Sequence, residues 1–388
     1  MRTSTLVVLG LFLATAAPAR TIYVASNGDA QGPAPSVETR YDDGSADHPF
    51  HELARAAATA ETASRNGEPV LIELAGGHHW LTPQEYLDPT CGNCEDAATA
   101  VPATLGIRLA GRHVRLTGAP DHTSIVHTRS GYGILVQDCD ECAVTGLLVT
   151  GGVRDPDGRA TDAAIVVQRS SLLVRDNILR DNIGDAGTLA EVVVGVMGVT
   201  GREGSRLRLE GNRILRNSWD GVALYRDAEA TIVDNVIDGI DLALGRDAGG
   251  GRGVGIGLTW NARATVRGNR ITRYWKGIGV FVDAQAVVEN NVVEGVATWG
   301  LSLWDAGRGR PHADFRGNVV DSTGACGASI VRENGQAAAG KPPRERLHAH
   351  RTEREVRQRR AVLLPDRGGD RVFAAHLPHR GERPLRQS

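Results

Sequence analysis

Residues 266–280 read Val266-Arg-Gly-Asn269-Arg-Ile271-Thr-Arg-Tyr-Trp-Lys-Gly277-Ile-Gly-Val280, and both halves of this stretch recur along the chain. The first half is an apolar residue, two polar or small residues, Asn, any residue and a second apolar residue. It occurs six times, around Asn177, Asn212, Asn235, Asn269, Asn291 and Asn318. The second half opens with Gly fourteen residues before three of those asparagines, at Gly221, Gly255 and Gly277.

These repeats predict a solenoid of stacked coils. Successive asparagines are 35, 23, 34, 22 and 27 residues apart. The repeated motif is therefore constant in length, while the loop after it varies in length. In Gly-Ile-x-Leu the two aliphatic side chains point into the bore and x points outward. The Asn falls at a bend, where it adopts left-handed geometry and bonds neighbouring backbone. Stacked amides also bond along the column, and each coil buries its aliphatic edge only against its neighbours.

The pattern resembles the right-handed parallel β-helix of the pectate-lyase-like superfamily, whose members are secreted and act on polysaccharides. The resemblance implies an all-β solenoid over residues 105–335. It also implies an N-terminal capping segment, residues 20–104, in which the Ala-rich stretch His51 to Ser64 forms a helix over the first coil. It is specific for fold and not for chemistry, because one scaffold hosts several activities.

The N-terminus predicts export. Arg2, the apolar run Leu6 to Ala16 and Ala17-Pro-Ala19 together match a secretory signal over residues 1–19, cleaved before Arg20. The apolar run is too short to span a bilayer, and no other segment approaches that length. We therefore expect a secreted protein, extracellular or periplasmic. The formal net charge of -2 argues against a nucleic-acid partner, and we expect a monomer.

Five cysteines include two Cys-x-x-Cys pairs, Cys91/Cys94 and Cys139/Cys142, plus Cys326. In a cytosolic protein such doublets indicate zinc, whereas the export signal favours disulfides. The pairing is open: a bridge between the two doublets would join the N-terminal segment to the first coils.

The C-terminal part of the chain does not continue the repeat. The repeat places a seventh Asn at position 341, but the chain reads Lys341-Pro-Pro-Arg and continues Arg-rich and aperiodic to residue 388. Our hypothesis is a change of reading frame near residues 332–340, which makes 336–388 a disordered basic tail of non-native appearance. The alternative is a genuine basic tail that binds acidic polymers. An uninterrupted frame in the resequenced gene would refute the hypothesis.

An aromatic groove is predicted on the outer face of the Gly-initiated strands. Their x positions, Ala223, Gly257, Gly279 and Ser302, are small, and Tyr225, Thr259, Phe281 and Trp304 follow two residues later. Trp219, Trp275 and Trp299 precede the glycines on the other side. Aromatic faces suit sugar C–H surfaces, so we expect Trp219, Tyr225, Phe281, Trp299 and Trp304 to bind a polysaccharide. The alternative is that some rings pack against turns or fill the bore.

The resemblance also suggests a lyase reaction, in which a Lys or Arg removes the C5 proton of a uronic acid and a cation neutralises its carboxylate. Lys276 is the only Lys before residue 341 and adjoins Gly277, and Asp220 holds the equivalent place two coils earlier. We therefore predict Lys276, Asp220 and Arg252 as catalytic residues. The alternative for Lys276 is an ordinary solvated side chain.

Long loops follow several Asn strands and carry clustered carboxylates. Asp241 and Asp247 are the predicted metal ligands, with Ca²⁺ as the cofactor that oxygen-rich loops favour. Solvated turn residues are the alternative. The sequence thus predicts an exported protein that binds an acidic polysaccharide and cleaves it by β-elimination, with a lyase placed ahead of a hydrolase or an epimerase. The alternatives are a non-catalytic glycan-binding or surface β-helix, and a truncated product of a frameshifted gene.

Overall fold

The computed structural model describes residues 19–35, 41–185, 194–240 and 253–332. Within them the chain forms three long sheets, and every strand pair is parallel except β4 with β5. Sheet A holds β1 Arg20–Val24, β2 Val70–Leu74, β6 Val114–Thr117, β9 Cys142–Thr145, β12 Ser171–Arg175, β15 Arg206–Glu210, β18 Glu229–Val233, β21 Arg263–Arg267, β24 Gln285–Glu289 and β27 His312–Arg316.

The other two sheets complete each coil. Sheet B holds β3 Gly77–Trp80, β7 Ser124–His127, β10 Leu148–Thr150, β13 Ile178–Arg180, β16 Arg213–Leu215, β19 Val236–Asp238, β22 Arg270–Thr272, β25 Val292–Glu294 and β28 Val319–Asp321. Sheet C holds β4 Gln84–Asp88, β5 Val101–Arg112, β8 Tyr132–Asp140, β11 Ala163–Gln168, β14 Met197–Arg202, β17 Val222–Leu224, β20 Val254–Leu258, β23 Lys276–Phe281, β26 Trp299–Trp304 and β29 Cys326–Val331.

The chain therefore runs from sheet C to A to B and back to C in each coil, which is a right-handed parallel β-helix, as the sequence predicts. Equivalent aliphatic residues of successive coils lie in register: Ile134 pairs with Ile165, and Ile165 with Val199. All three are fully buried in the bore. Burying one such side chain contributes roughly 1.5–3 kcal/mol, so stability accumulates coil by coil.

The six repeated asparagines form one continuous ladder at the corner between sheets A and B. From Asn212 to Asn318, each accepts the backbone N–H and the side-chain N–H of the Asn in the preceding coil, at 2.9–3.1 Å. Asn177, the first of the six, accepts the backbone N–H of Leu147 at 3.1 Å. The predicted stack of amides is thereby confirmed.

The left-handed residue at this corner is not the Asn itself, as we expected, but the residue before it. Asp176 (φ 53°), Gly211 (φ 61°) and Gly268 (φ 69°) take that conformation. Asp, Gly and Asn adopt it most readily, which explains why only these three types precede the six asparagines. The Asn is free to turn its amide along the column because its neighbour makes the bend.

A second, shorter ladder was missed from the sequence. After sheet B, the Asn182 side chain donates to Asn217 Oδ1 at 2.9 Å, and Asn182 Oδ1 accepts the amide of Gly152 at 2.9 Å. It spans three coils only, too few to show a period in the sequence.

The N-terminal end of the bore is covered by helix α1, Leu53–Arg65, which confirms the predicted cap. Its buried face includes Leu53, Ala56 and Ala60, and it packs against β1, β2, β5 and β6. Strands β1, β2 and β3, all within segment 20–104, already pair in the sheets of the solenoid. One short 3₁₀ turn, Pro120–His122, lies between β6 and β7.

The disulfides close within each doublet: Cys91 bonds to Cys94 and Cys139 to Cys142. The bridge between doublets that we considered is therefore not formed, and Cys326 is a half-buried free thiol. No helix among the described residues is long and apolar enough to cross a membrane. The predicted signal, apart from Ala19, and the predicted tail 336–388 lie outside the described residues.

Replacing Asn269 with Ala tests the ladder. The change removes a buried amide, takes away the acceptor of the Asn235 backbone N–H, and breaks the side-chain bonds to Asn235 and to the carbonyl of Ile232. We expect the free energy of unfolding to fall by about 2–4 kcal/mol, measured by urea denaturation. Asn66→Ala, at the exposed end of α1, is the control and should change it by less than about 0.5 kcal/mol. Equal effects would contradict a structural role of the ladder.

Candidate functional site

The outer face of sheet C has the register that the sequence predicts. Ala223, Gly257, Gly279 and Ser302 pair in succession across β17, β20, β23 and β26. Phe281 pairs with Trp304 in the next outward column. Small and aromatic residues thus form two adjacent columns.

The expected exposure of this face is wrong. The fraction of each residue exposed to solvent is 0% for Trp219, 1% for Tyr225, 2% for Phe281 and 7% for Trp304. These rings belong to a second apolar cluster outside the bore. The small residues make room for that packing, since a β-carbon on Gly279 would lie 2.1 Å from Phe281 Cζ. The Phe281 ring therefore occupies the space above Gly279 that was predicted to hold a sugar.

A strap of residues 84–104 accounts for part of this burial. It comprises β4, the Cys91–Cys94 turn and the first residues of β5, and its Cys91, Val101 and Ala103 pack in the same apolar cluster as Tyr132 and Met197. Sequence reasoning missed the strap. The only signal was a second alternating pattern ahead of Ile107, with Val101 and Ala103 facing the outer cluster.

Beneath the strap lies a buried polar network centred on Asp88 and Arg202, both 0% exposed. Their side chains form an ion pair. Asp88 Oδ2 also accepts the Tyr132 hydroxyl at 2.7 Å and the Gln168 amide at 3.0 Å, and Arg202 donates to Thr90 Oγ1 at 2.6 Å. Burial raises the pKa of Tyr132 well above its usual value, so the hydroxyl remains a donor.

A second ion pair fastens the tip of the strap. Arg226 donates to Glu203 at 2.6 Å and to the carbonyl oxygens of Gly92 and Cys94. Burial alone would raise the pKa of Glu203, but the guanidinium groups of Arg226 and Arg202 outweigh it and lower the pKa. Both networks hold charged groups away from solvent, which suits fastening the strap rather than binding a ligand.

Lys276 and Trp299 meet at the edge of sheet C where the loops enter it. Lys276 begins β23 and Trp299 begins β26, and the Lys276 Nζ lies 4.9 Å from the Trp299 ring centroid. Both residues are half-buried, as is Trp275. The Trp275 carbonyl accepts the Thr298 hydroxyl at 2.6 Å, which ties the two coils together beside the pair. A cation and an aromatic face are therefore presented together.

Asp220 occupies the same edge but not the same environment. Its Oδ1 accepts the amide of Val254 at 2.6 Å, and Val254 is paired with Lys276 across β20 and β23. Asp220 is 0% exposed. The carboxylate predicted to act with Lys276 is therefore enclosed and bonded to a backbone amide.

The remaining predicted residues, Arg252, Asp241 and Asp247, lie outside the described residues. Within residues 19–35, 41–185, 194–240 and 253–332, no three His, Cys, Asp or Glu side chains are grouped to hold a metal ion. The Ca²⁺ prediction therefore still rests on Asp241 and Asp247.

Neither a protein-family model nor a curated protein matches this chain. Among solved structures, it is similar to an alginate lyase from Paenibacillus sp. str. FPU-7, with 14% identity, 81% of this chain and 98% of that chain covered, and a TM-score of 0.42. It is also similar to a tailspike protein mutant of E. coli bacteriophage HK620 in complex with a pentasaccharide. The identity is 13%, the match covers 76% of this chain and 50% of that chain, and the TM-score is 0.45. A third similar structure is a pectate lyase from Bacillus sp. N165 in complex with trigalacturonate. Its identity to this chain is 12%, the match covers 78% of this chain and 82% of that chain, and the TM-score is 0.38. Likeness at this level concerns the fold alone.

Replacing Arg202 with Met tests the network beneath the strap. The variant leaves the buried Asp88 carboxyl without its cation, so we expect a loss of about 3–5 kcal/mol in the free energy of unfolding. Arg169→Met breaks the exposed ion pair with Asp138 and should cost less than about 1 kcal/mol. Urea denaturation of both variants checks this, and similar losses would contradict the assignment of the strap's fastening to Arg202.

Proposed function

We propose that this chain is an exported, carbohydrate-active β-helix protein that binds an acidic polysaccharide at the Lys276–Trp299 edge and cleaves it by β-elimination. The observation that supports this most directly is the Lys276 Nζ at 4.9 Å from the Trp299 ring, both half-buried. An ammonium attracts a uronate carboxylate, while an indole face packs on the sugar ring. The two disulfides and the predicted signal fit an oxidising compartment outside the cytoplasm.

The chemistry requires a base and a cation. Lys276 binds the substrate as the ammonium and then gives up a proton to water. The neutral amine takes the C5 proton of the uronic acid, the electron pair forms the C4–C5 double bond, and the glycosidic oxygen on C4 leaves and takes up a proton from water. Loss of the C5 proton places negative charge next to the carboxylate, which a second cation must stabilise. Arg252, or Ca²⁺ held by Asp241 and Asp247, is the proposed source of that charge.

Binding without cleavage is the second candidate, and the burial of Asp220 favours it. A carboxylate that is enclosed and bonded to the amide of Val254 cannot orient substrate or base at the surface. Trp219, Tyr225, Phe281 and Trp304, being buried, would then support the edge from below rather than touch the glycan. Such a protein would use the same edge for recognition alone.

Variants at Lys276 separate the two candidates. We expect Lys276→Gln to abolish the release of unsaturated products from polygalacturonate or alginate. The products are measured by their ultraviolet absorbance, with and without Ca²⁺. Lys276→Arg keeps the positive charge and should retain binding on an affinity gel while lowering cleavage at neutral pH, because an Arg is harder to deprotonate. Trp299→Ala should weaken binding about tenfold, as expected for loss of a ring beneath a sugar.

Arg263→Gln is the matched control, because it removes a positive charge from the exposed face of sheet A. It should leave binding and cleavage unchanged. Binding without products in the parent protein would select the non-catalytic candidate, whereas retention that is insensitive to Lys276→Gln and Trp299→Ala would rule out this edge for both.

A further inference from the structure

Two carboxyl groups with no role in the proposed reaction face each other in the loop between β10 and β11. Asp155 is 3% exposed and Asp162 is 0% exposed. A β-carbon placed on Gly131 would lie 2.1 Å from Asp155 Oδ2 and 2.5 Å from Asp162 Oδ1, so the two oxygens converge on one point. Like charges this close in a buried place cannot both be retained without compensation.

The hydrogen bonds leave one of these oxygens without a donor. Asp155 Oδ2 accepts the amide of Thr104 at 2.7 Å, and its Oδ1 accepts the Thr104 hydroxyl at 2.8 Å. Asp162 Oδ2 accepts the amide of Asp155 at 2.7 Å and an ion pair from Arg154. Asp162 Oδ1 is buried and accepts no hydrogen bond from the part of the chain that the structure describes.

The surrounding charges do not supply the missing partner. On the same loop, Arg154 is directed to Asp162 Oδ2, and Asp157 pairs with Arg159 at the surface. From β8, the Tyr132 hydroxyl donates to Asp88 of the strap.

Arg202 of β14 likewise pairs with Asp88. Two carboxyl groups therefore share one guanidinium, that of Arg154, and a single proton between Asp155 Oδ2 and Asp162 Oδ1 both removes the excess charge and satisfies the remaining oxygen.

We propose that Asp155 and Asp162 share a proton that latches the strap over sheet C, and that loss of this proton loosens the strap. The loop joins the strap at two places. Thr104, the last residue of the strap, bonds to Asp155, and the amide of Asn93 donates to the carbonyl of Arg159 at 3.1 Å. Thr161 also packs directly on Gly92, where no β-carbon would fit.

The direction of the pH effect follows from the environment of Asp155. Burial first, and then the charge of Asp162, raise its pKa from 3.8 to about 7. The closed strap therefore holds a proton that the open strap releases. The stability of the closed strap relative to the open strap is highest below pH 3.8. It falls as the pH rises toward about 7 and changes no further above that value. One proton of difference corresponds to about tenfold more opening per pH unit inside this window.

The disulfide in the strap provides the readout, because opening exposes the buried Cys91. Reduction of Cys91–Cys94 by a phosphine is compared with reduction of Cys139–Cys142, which packs in the bore and serves as internal reference at every pH. In the full chain we expect the ratio of the two rates to rise by about 50-fold from pH 5 to pH 7, because the closed form is already half ionised at pH 7.

Asp155→Asn cannot ionise, so its ratio should be flat with pH. The level of that ratio is not part of the test, because an amide nitrogen in the place of Oδ2 cannot accept the backbone N–H of Thr104. Asp157→Asn, on the same loop but paired with Arg159, should retain the slope of the parent protein. A flat ratio in the parent, or an unchanged slope in Asp155→Asn, would overturn the latch.

Infrared spectroscopy of the parent protein tests the proton without any variant. A protonated-carboxyl band that disappears with a midpoint near pH 7 is expected, and its absence at pH 5 would overturn the proposal. Neither measurement involves a glycan, so failure here is distinct from failure of the proposed function.

Discussion

Stacking of one coil on the next is the constraint on which the structure depends. A single coil exposes its aliphatic edge and its strand hydrogen bonds on both sides, so neither is satisfied until a neighbour is in place. The asparagine ladder fixes the register of that stacking, because each amide must meet the amide of the next coil. With the corner fixed, connections of very different length can link sheet B to the next strand of sheet C without shifting the aliphatic columns of the bore.

The same stacking places the outer columns of sheet C in line, but it does not decide whether they meet solvent. In this protein apolar rings, small residues and the strap form a second core on that face. Gly279 has no side chain because the ring of Phe281 lies over it. A column of small residues beside aromatic residues is thus compatible with a ligand groove and with tight packing, and here packing prevails.

Burial of charge follows from this second core. Asp88, Arg202, Glu203 and Arg226 are removed from most solvent by the strap, and each is compensated by an opposite charge or by several hydrogen bonds. The Asp155–Asp162 pair differs, since one guanidinium serves two carboxyl groups. The site proposed for binding a polysaccharide lies apart from these pairs, at the edge of sheet C where Lys276 and Trp299 begin their strands. The fold thereby separates the residues that fasten it from those proposed to meet a polysaccharide.

The repeats determined the β-helix and the amide ladder from sequence alone, because both are encoded by local patterns of Gly, Asn and aliphatic residues. The capping helix was predicted from an Ala-rich stretch and from the resemblance. Sequence also placed Asp220 and Lys276 on one edge, since equal offsets from the ladder give equal positions in a coil. It could not show that Trp219, Tyr225, Phe281 and Trp304 are buried, because the outer cluster that encloses them is assembled from residues distant in sequence. Only the tertiary structure decided that Asp155 and Asp162 converge, since their proximity arises from how one loop folds onto Gly131 and Thr104, and no spacing in the chain records it.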